Sequence, residues 1–186
     1  MVCSMDNMRD EYIKAVTVGK QELFNGEVIL VGYDPHWLTL FRQEADKISN
    51  ILSNRALQVH HVGSTSVPGL CAKPIIDILL VVADSSDESS YVPALESVGY
   101  TLHIREPDWY QHRLLKGSHP DVNLHVFSKN AAEIKRMLRF RDLLRSNEND
   151  RRRYENIKRE LAGRAWRHIQ QYADAKTAII EEILAS

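Results

Sequence analysis

The chain has 186 residues, a formal net charge of −1 and 44% hydrophobic residues, which is typical of one globular domain with a sizeable core. Its two cysteines are too few for a disulfide scaffold and lack the spacing of a metal site. No segment approaches the ~20 apolar residues of a membrane span, and the charged N-terminal residues do not resemble a signal peptide. We therefore expect a cytoplasmic protein with reduced cysteines and no membrane partner.

The N-terminal part of the chain contains one well-defined helical pattern. Residues 1–26 give only weak helical signals, so we predict a loosely attached N-terminal extension before a single domain over residues 27–186. Residues 27–31 have the pattern of a strand. Asp34 and Pro35 then form a helix start. Apolar residues at three-to-four spacing predict a helix to about residue 52, with a buried stripe formed by Trp37, Leu40, Phe41, Ala45, Ile48 and Leu52.

The central stretch, residues 60–82, has the sequence HHVGSTSVPGLCAKPIIDILLVV. It predicts a strand over residues 57–62, a tight turn with a short helix, and a strand over residues 75–82 that is apolar on both faces. A carboxylate inside such a strand is unusual, because burying a charge without a partner is unfavourable. We therefore expect Asp77 to lie near a strand end and to face a ligand, a cation or a hydrogen-bond donor.

The second half of the chain changes from strands to helices. The predicted elements are a helix over residues 91–98, strands over 100–105, 110–115 and 122–127, and helices over 131–145, 150–172 and about 174–184. Short turns between the three strands predict antiparallel pairing. The predicted fold class is α/β, or α+β in a stricter scheme, with a mixed sheet and a C-terminal helical layer.

Two motifs resemble the GrpB family. The stretch HVGSTSVPGL-x-AKPIIDI, residues 61–78, is similar to the GrpB signature, and V-x-Y-x-P-x-W-x-x-x-F, residues 31–41, is similar to the opening of GrpB proteins. The resemblance covers about residues 27–185. GrpB members resemble the nucleotidyltransferase superfamily in fold. The resemblance therefore implies a nucleotidyltransferase-like βαβ core, Mg²⁺ or another divalent metal, and a nucleoside triphosphate substrate.

The resemblance also assigns a turn and a carboxylate. The superfamily has a small-residue turn followed by a strand with one or two metal-binding carboxylates, which here are Gly63-Ser64 and Asp77, with twelve residues between them. Backbone N–H groups of such a turn at a helix start suit phosphate binding. The second carboxylate of the pattern is replaced by Leu79. Either the metal chemistry is altered or catalysis has been lost.

Histidines and cations complete the predicted site. If the neighbouring strands flank that of Asp77, His61 and His125 could converge with it as a mixed metal site or acid–base cluster. Arg141 and Arg145 are an unfavourable i,i+4 like-charge pair unless an anion intervenes. The predicted residues are, for catalysis, Asp77 and His125; for the metal, Asp77, His61 and His125; and for the nucleotide, in one anion-binding cleft, Gly63, Ser64, Thr65, Lys73, Arg113, Arg141 and Arg145.

The basic part of the chain gives a weaker signal. Residues 135–167 contain twelve Lys/Arg and five Asp/Glu. We interpret this stretch as a solvated helical surface, so nucleic acid is not the favoured partner. Lys158, close to Tyr154, is interpreted as packing with a snorkelling ammonium group.

Three functions fit these patterns. The first is a nucleotidyltransferase-like enzyme that uses a divalent metal and a nucleotide. The second is a nucleotide- or polyphosphate-binding module without transfer chemistry, which Leu79 favours. The third is a folding or interaction module, because GrpB-like domains also occur fused to dephospho-coenzyme A kinases. The first two predict a small-molecule nucleotide or phosphate ligand as the partner.

Overall fold

The computed structural model describes residues 10–19 and 26–186 of the chain. The central sheet has five strands, which are β1 (Gln58–Val62), β2 (Ile76–Val82), β3 (Tyr100–Glu106), β4 (His112–Gly117) and β5 (Val122–Ser128). Their spatial order is β1-β2-β5-β4-β3. β2 and β5 are parallel, whereas the other three neighbouring pairs are antiparallel. The mixed sheet and the antiparallel meander are therefore confirmed.

The helices flank this sheet. Their bounds are α1 (His36–Leu52), α2 (Val92–Glu96), α3 (Ala132–Ser146), α4 (Glu148–Ala162), α5 (Ile169–Asp174) and α6 (Thr177–Ala185), with short 3₁₀ turns at Ser53–Arg55, Ser64–Ser66 and Glu88–Ser90. The backbone N–H of His36 donates to Asp34 Oδ1 at 2.8 Å, which supports the start of α1. Across the described ranges, no helix is long and apolar enough to cross a membrane.

The two faces of the sheet have different roles. On one face, which we call the core face, Ile78 and Leu80 of β2 pack with Ile48 and Leu52 of α1 in the largest apolar cluster. Side chains alternate between faces along a strand, so Asp77 and Leu79 point to the opposite face. We call this the cavity face. The C-terminal helices α3 to α6 contribute residues to its covering layer.

Two local predictions around β1 differ from the structure. β1 and β2 are antiparallel, so their connection through residues 63–75, which we call the signature loop, is not a parallel βαβ crossover. Residues 27–31 are not a strand; instead Val31 exchanges two backbone hydrogen bonds with Ala72 of the signature loop, at 2.9 and 3.0 Å. The sheet therefore ends at β1 on this side.

The predicted helix over residues 150–172 is interrupted. α4 ends at Ala162, and α5 begins only at Ile169. Between them, Trp166 exchanges backbone hydrogen bonds with Gly26 at 3.1 and 3.3 Å. These long-range bonds replace the helical ones, and Ala165, which lies between the two helices, is exposed.

The described part of the predicted N-terminal extension is attached to the domain at both ends. Residues 10–16 are helical. Asp10 forms an ion pair with Arg167 at 2.5 Å, and its Oδ1 lies 3.1 Å from His168 Nε2. The backbone N–H of Val18 donates to the His103 carbonyl at 2.9 Å. Residues 10–19 are thus not loosely attached. The rest of the extension, including Cys3, lies outside the described residues.

Candidate functional site

The turn after β1 lies directly against the carboxylate of Asp77. Gly63 has a φ of +65°, in the region that glycine adopts most easily. A Cβ atom at this position would lie 2.2 Å from Asp77 Oδ2 and 2.8 Å from Asp77 Cβ. The approach follows from strand pairing, because Val62 is opposite Asp77 in the β1–β2 ladder. Gly63 therefore allows the backbone to pass close to the carboxylate.

Asp77 lies at the second position of β2 and faces polar groups, as expected for a carboxylate in this strand. Asn123, its register partner on β5, donates from Nδ2 to Oδ1 at 2.9 Å. His125 Nε2 lies 3.9 Å from the same oxygen, beyond hydrogen-bond distance. Burial opposes ionisation, but the protonated imidazole of His125, together with Asn123 and Lys73, holds the pKa of Asp77 below its usual value. The carboxylate is therefore ionised near neutral pH.

A chain of hydrogen bonds runs from His125 on β5 through β4 to β3, the edge strand of the sheet. The distance between His125 Nδ1 and His112 Nε2 is 3.1 Å. His112 Nδ1 is 2.6 Å from Glu106 Oε2, and the Tyr12 hydroxyl donates to Glu106 Oε1 at 2.6 Å. Because His112 and Glu106 are well shielded from solvent, their hydrogen bonds hold the imidazole of His125 in a defined orientation.

A cavity of about 700 Å³ lies on the cavity face next to these groups. The signature loop, the sheet, the C-terminal helices and residues 10–19 all contribute to its walls. Four lysines line it, namely Lys73, Lys116, Lys158 and Lys176. Among the described lining residues, Asp77 is the one carboxylate. The wall therefore has an excess of positive charge, which favours an anionic ligand.

Lys158 is the most deeply buried of the four lysines, with 3% of its surface exposed. Its Nζ donates to Ser64 Oγ at 2.8 Å and to the carbonyl oxygen of Cys71, and it lies 5.5 Å from the centroid of the Tyr154 ring. Burial lowers its pKa to about 8. The predicted snorkelling is thus wrong, because the ammonium group points inward to the signature loop.

Lys176 approaches the cavity from α6. Its Nζ lies 3.7 Å from the centroid of the Tyr172 ring, a distance at which a cation–π interaction is favourable. Burial, together with the charges of Lys73 and Lys158, nevertheless lowers the pKa of Lys176 to about 7. Burial also lowers the pKa of Lys73. Burial and mutual repulsion therefore make the protonated forms of these lysines less stable in the folded protein than in water.

The comparisons with known proteins agree with one another. A family model described as GrpB protein matches residues 27–186. A UPF0157 protein of Halalkalibacterium halodurans is 61% identical over 175 residues, which cover 94% of this chain and 90% of that protein. The chain belongs to the GrpB family. A crystal structure of GrpB from Enterococcus faecalis is 32% identical with a TM-score of 0.71, and the match covers 84% of this chain and 98% of that one. The predicted family and the α+β fold class are confirmed.

A shorter similarity involves a larger protein. The dephospho-CoA kinase of Mycolicibacterium paratuberculosis is 30% identical over 103 residues, which are 50% of this chain and 25% of that kinase. A GrpB-like segment therefore occurs within a longer chain that has a different name.

The three arginines predicted for the anion-binding cleft are not among the residues that line the cavity. Arg113 is opposite Val126 of the core face, and its Nε donates to Glu88 at 2.6 Å. Arg141 donates to the carbonyl oxygen of His61 at 3.1 Å. Arg145 donates twice to the carbonyl oxygen of Ser66, at 2.7 and 2.9 Å. Arg141 Nε also donates to Asp142 Oδ1 at 2.7 Å. The predicted single cleft with these arginines is therefore wrong, since Glu88, Asp142 and backbone carbonyls take the place of an anion.

Arg145→Ala should lower the free energy of unfolding by about 1–3 kcal/mol, because a well-shielded carbonyl loses two hydrogen bonds from a charged group. Urea unfolding measures this change. Arg152→Ala is the matched control, since Arg152 lies on α4 with its side chain 74% exposed in an i,i+4 pair, which is worth at most about 0.5 kcal/mol. Equal effects of the two substitutions would contradict the structural role of Arg145.

His61 does not join the predicted metal cluster. β1 and β5 flank β2 as required, but His61 is opposite Ile78, so its side chain points to the core face. There it stacks on Phe41 with ring centroids 4.6 Å apart, and its Nε2 lies 3.1 Å from Thr65 Oγ1. Burial lowers the pKa of His61 to about 4, so the ring is neutral. The predicted convergence of His61 with Asp77 and His125 is therefore wrong.

The remaining donors do not fit a two-metal centre. Leu79, at the position of the second carboxylate, is fully buried among Val62, Val81 and Phe127. In residues 10–19 and 26–186, no group of three or more His, Cys, Asp or Glu side chains is arranged to hold a metal ion. Asp77 and His125 are together, but with Asn123 as their polar neighbour. No two-metal transfer step can be derived from this set of residues.

Proposed function

We propose that this GrpB domain binds a nucleotide or another phosphate-bearing small molecule in the lysine-lined cavity. The observation that carries this proposal is the set of four lysines around a cavity whose described lining residues include one carboxylate. Two of these lysines have their pKa lowered to about 7 and about 8. A phosphate group would neutralise the mutual repulsion of the ammonium groups and raise both pKa values.

Further groups around the cavity suit a phosphate. Ser64 Oγ already accepts from Lys158, and the backbone of Gly63 to Thr65 leads into a short helical turn at the wall. Tyr172 lines the cavity and is 1% exposed, yet its hydroxyl has no hydrogen-bond partner among the described residues. Buried hydroxyl groups are normally paired, but this hydroxyl has almost no accessible surface, so a ligand oxygen would pair with it only after a small shift of the cavity wall.

The proposal favours binding without the two-metal transfer chemistry. Among the lining residues that the structure describes, Asp77 is the one carboxylate, and Leu79 occupies the position of the second carboxylate of the superfamily pattern. Transfer of a nucleotidyl group with Mg²⁺ would need a donor set that these residues do not supply. Binding requires only the cations and the hydrogen-bond donors described above.

A thermal-shift panel of AMP, ADP and ATP, each with and without Mg²⁺, tests this function. A nucleotide at 100 times its Kd should stabilise the domain by about 2.7 kcal/mol, which raises the Tm by roughly 5–10 °C. We expect the shift without Mg²⁺ and its loss in Lys158→Met. Lys129→Met, a substitution of an exposed lysine after β5, is the control and should keep the shift.

The other outcomes favour the two alternative functions. A shift that requires Mg²⁺ would support metal-dependent transfer instead. No shift with any nucleotide would overturn the binding proposal and leave the interaction module, for which the partial match to a dephospho-CoA kinase is the relevant observation.

A further inference from the structure

The hydrogen-bond chain behind His125 determines which of its ring nitrogens carries the proton. Burial alone would raise the pKa of Glu106, but hydrogen bonds from His112 and Tyr12 outweigh it and lower the pKa, so Glu106 is an ionised acceptor. His112 Nδ1 must therefore donate to it. Burial lowers the pKa of His112 to about 4, and a neutral imidazole has one N–H. His112 Nε2 is consequently an acceptor for His125.

It follows that His125 carries a proton on Nδ1 and presents Nε2 to the cavity. His125 Nδ1 is 3.1 Å from the His112 acceptor, so this nitrogen stays protonated. Nε2 faces Asp77 Oδ1 at 3.9 Å. In the neutral form of His125, these two atoms are neighbouring acceptors and neither can donate to the other.

Two neighbouring acceptors at a cavity wall, with side chains 23% and 27% exposed, are accessible to hydrogen-bond donors of a ligand. Asn123 satisfies one position on Asp77 Oδ1, but it does not reach His125 in the described structure. Hydroxyl groups are suitable donors, because each can give its hydrogen to one acceptor. A vicinal diol has two such groups at a spacing close to that of the acceptors. The lysines lie around the same cavity, where a phosphate on the same molecule would bind.

We propose that the ligand of this cavity is a phosphorylated polyol, such as a ribose phosphate, whose hydroxyl groups donate to His125 Nε2 and Asp77. In this arrangement His125 is a ligand-binding residue. His112 and Glu106 are positioning residues, which act by fixing the tautomer of His125. The proposal rests on the proposed function, since it adds a second recognition element to the phosphate site.

The tautomer is tested without any ligand. Imidazole ¹⁵N chemical shifts of the full chain at about pH 8, assigned by the loss of signals in His125→Phe, distinguish the two neutral forms. We expect His125 to be protonated on Nδ1 and unprotonated on Nε2. His112→Phe should mix the two tautomers of His125, because the phenyl ring keeps the stacking on Phe127, at 4.7 Å between centroids, but has no acceptor. A proton on Nε2 of the wild-type protein would overturn the proposal.

The ligand class is tested with AMP and 2′,3′-dideoxy-AMP, which share a phosphate and a base but differ in the diol. Wild type should bind AMP at least about tenfold more tightly, because the dideoxy compound loses two hydrogen bonds and one bond to a buried partner is worth about that factor. His125→Phe and His112→Phe should both reduce this preference while keeping the affinity for the dideoxy compound, and the preference that remains reflects the hydroxyl group that donates to Asp77. His60→Phe is the matched control and should leave the preference unchanged, since His60 bonds to Gln58 and is not among the cavity-lining residues.

Failure of this proposal is distinguishable from failure of the proposed function. Equal binding of both compounds by the wild type would overturn the polyol assignment and leave phosphate binding intact. Binding of neither compound, with His125 still in the expected tautomer, would overturn the proposed function and, with it, the ligand assigned here.

Discussion

Replacing Gly63 with alanine should lower the free energy of unfolding by roughly 2–5 kcal/mol. Two effects add at this position. The φ of +65° is strained for alanine, and the new methyl carbon would lie 2.2 Å from Asp77 Oδ2 and 2.8 Å from Asp77 Cγ. The neighbour is a short side chain on a central strand, so it has little room to move. Urea unfolding monitored by circular dichroism measures the change.

Gly99→Ala separates the two effects. Gly99 has a φ of +95°, but a Cβ atom there would meet nothing within 4 Å. The free energy of unfolding of this control should therefore fall only by the backbone contribution, about 1 kcal/mol. If Gly63→Ala is no more destabilising than Gly99→Ala, the close contact between the turn and Asp77 is not as the structure describes it.

Replacing Lys176 with methionine should stabilise the domain at pH 6 while weakening phosphate binding at least tenfold. Burial and neighbouring lysines lower the pKa of Lys176 from its usual value to about 7. Between about pH 7 and 10.5 the unfolded chain therefore binds more protons than the folded one, so the stability of the wild type rises with pH in this window. Methionine removes the unfavourable buried charge, and it also removes a charged donor to the ligand.

The pH dependence is the decisive part of this prediction. The stability advantage of Lys176→Met should be largest below about pH 7 and should shrink as the pH rises towards 10. Chemical denaturation at pH 6 and pH 9 measures it. Lys129→Met, at an exposed position, should show no such difference between the two pH values. A variant that is less stable than the wild type at pH 6 would indicate that the contact with Tyr172 outweighs the desolvation of the ammonium group.

Much of the fold could be predicted because its signals are local. The apolar run of β2 and the alternating residues of the meander are typical of strands at any position in a chain. The break between α4 and α5 is different. It depends on hydrogen bonds between Trp166 and Gly26, which lie far apart in sequence, and the helical periodicity of residues 150–172 contains no sign of them.

The site was predictable only in part, for a related reason. Gly63, Ser64 and Asp77 belong to one motif, so the sequence identified them together. His61 was assigned to the wrong face, because a shift of one residue along a strand reverses the direction of a side chain and only the register decides it. Lys158 was interpreted as a surface residue, because a snorkelling lysine and a buried one have the same pattern along a helix.

Arg145 shows how a correct physical argument can lead to the wrong partner. Arg141 and Arg145 do require negative charge or acceptors nearby. These are the carboxylate of Asp142, which accepts from Arg141, and carbonyl oxygens of residues about 80 positions earlier in the chain. Lys176 belongs to no recognisable sequence motif. Its role is visible only once α6 is placed over the signature loop.

The parallel pairing of β2 with β5 has a consequence for folding. β1 and β2 form one sub-sheet, β3 to β5 form another, and they join in the parallel ladder. Asp77 is on one side of this junction, and Asn123, 46 residues away in sequence, and His125 are on the other. Neither sub-sheet alone contains the complete set of polar groups, and long-range pairings form late because loop closure is entropically unfavourable. This group of polar residues therefore assembles when the two halves of the sheet pack together, and a molecule bound across the junction would stabilise their association.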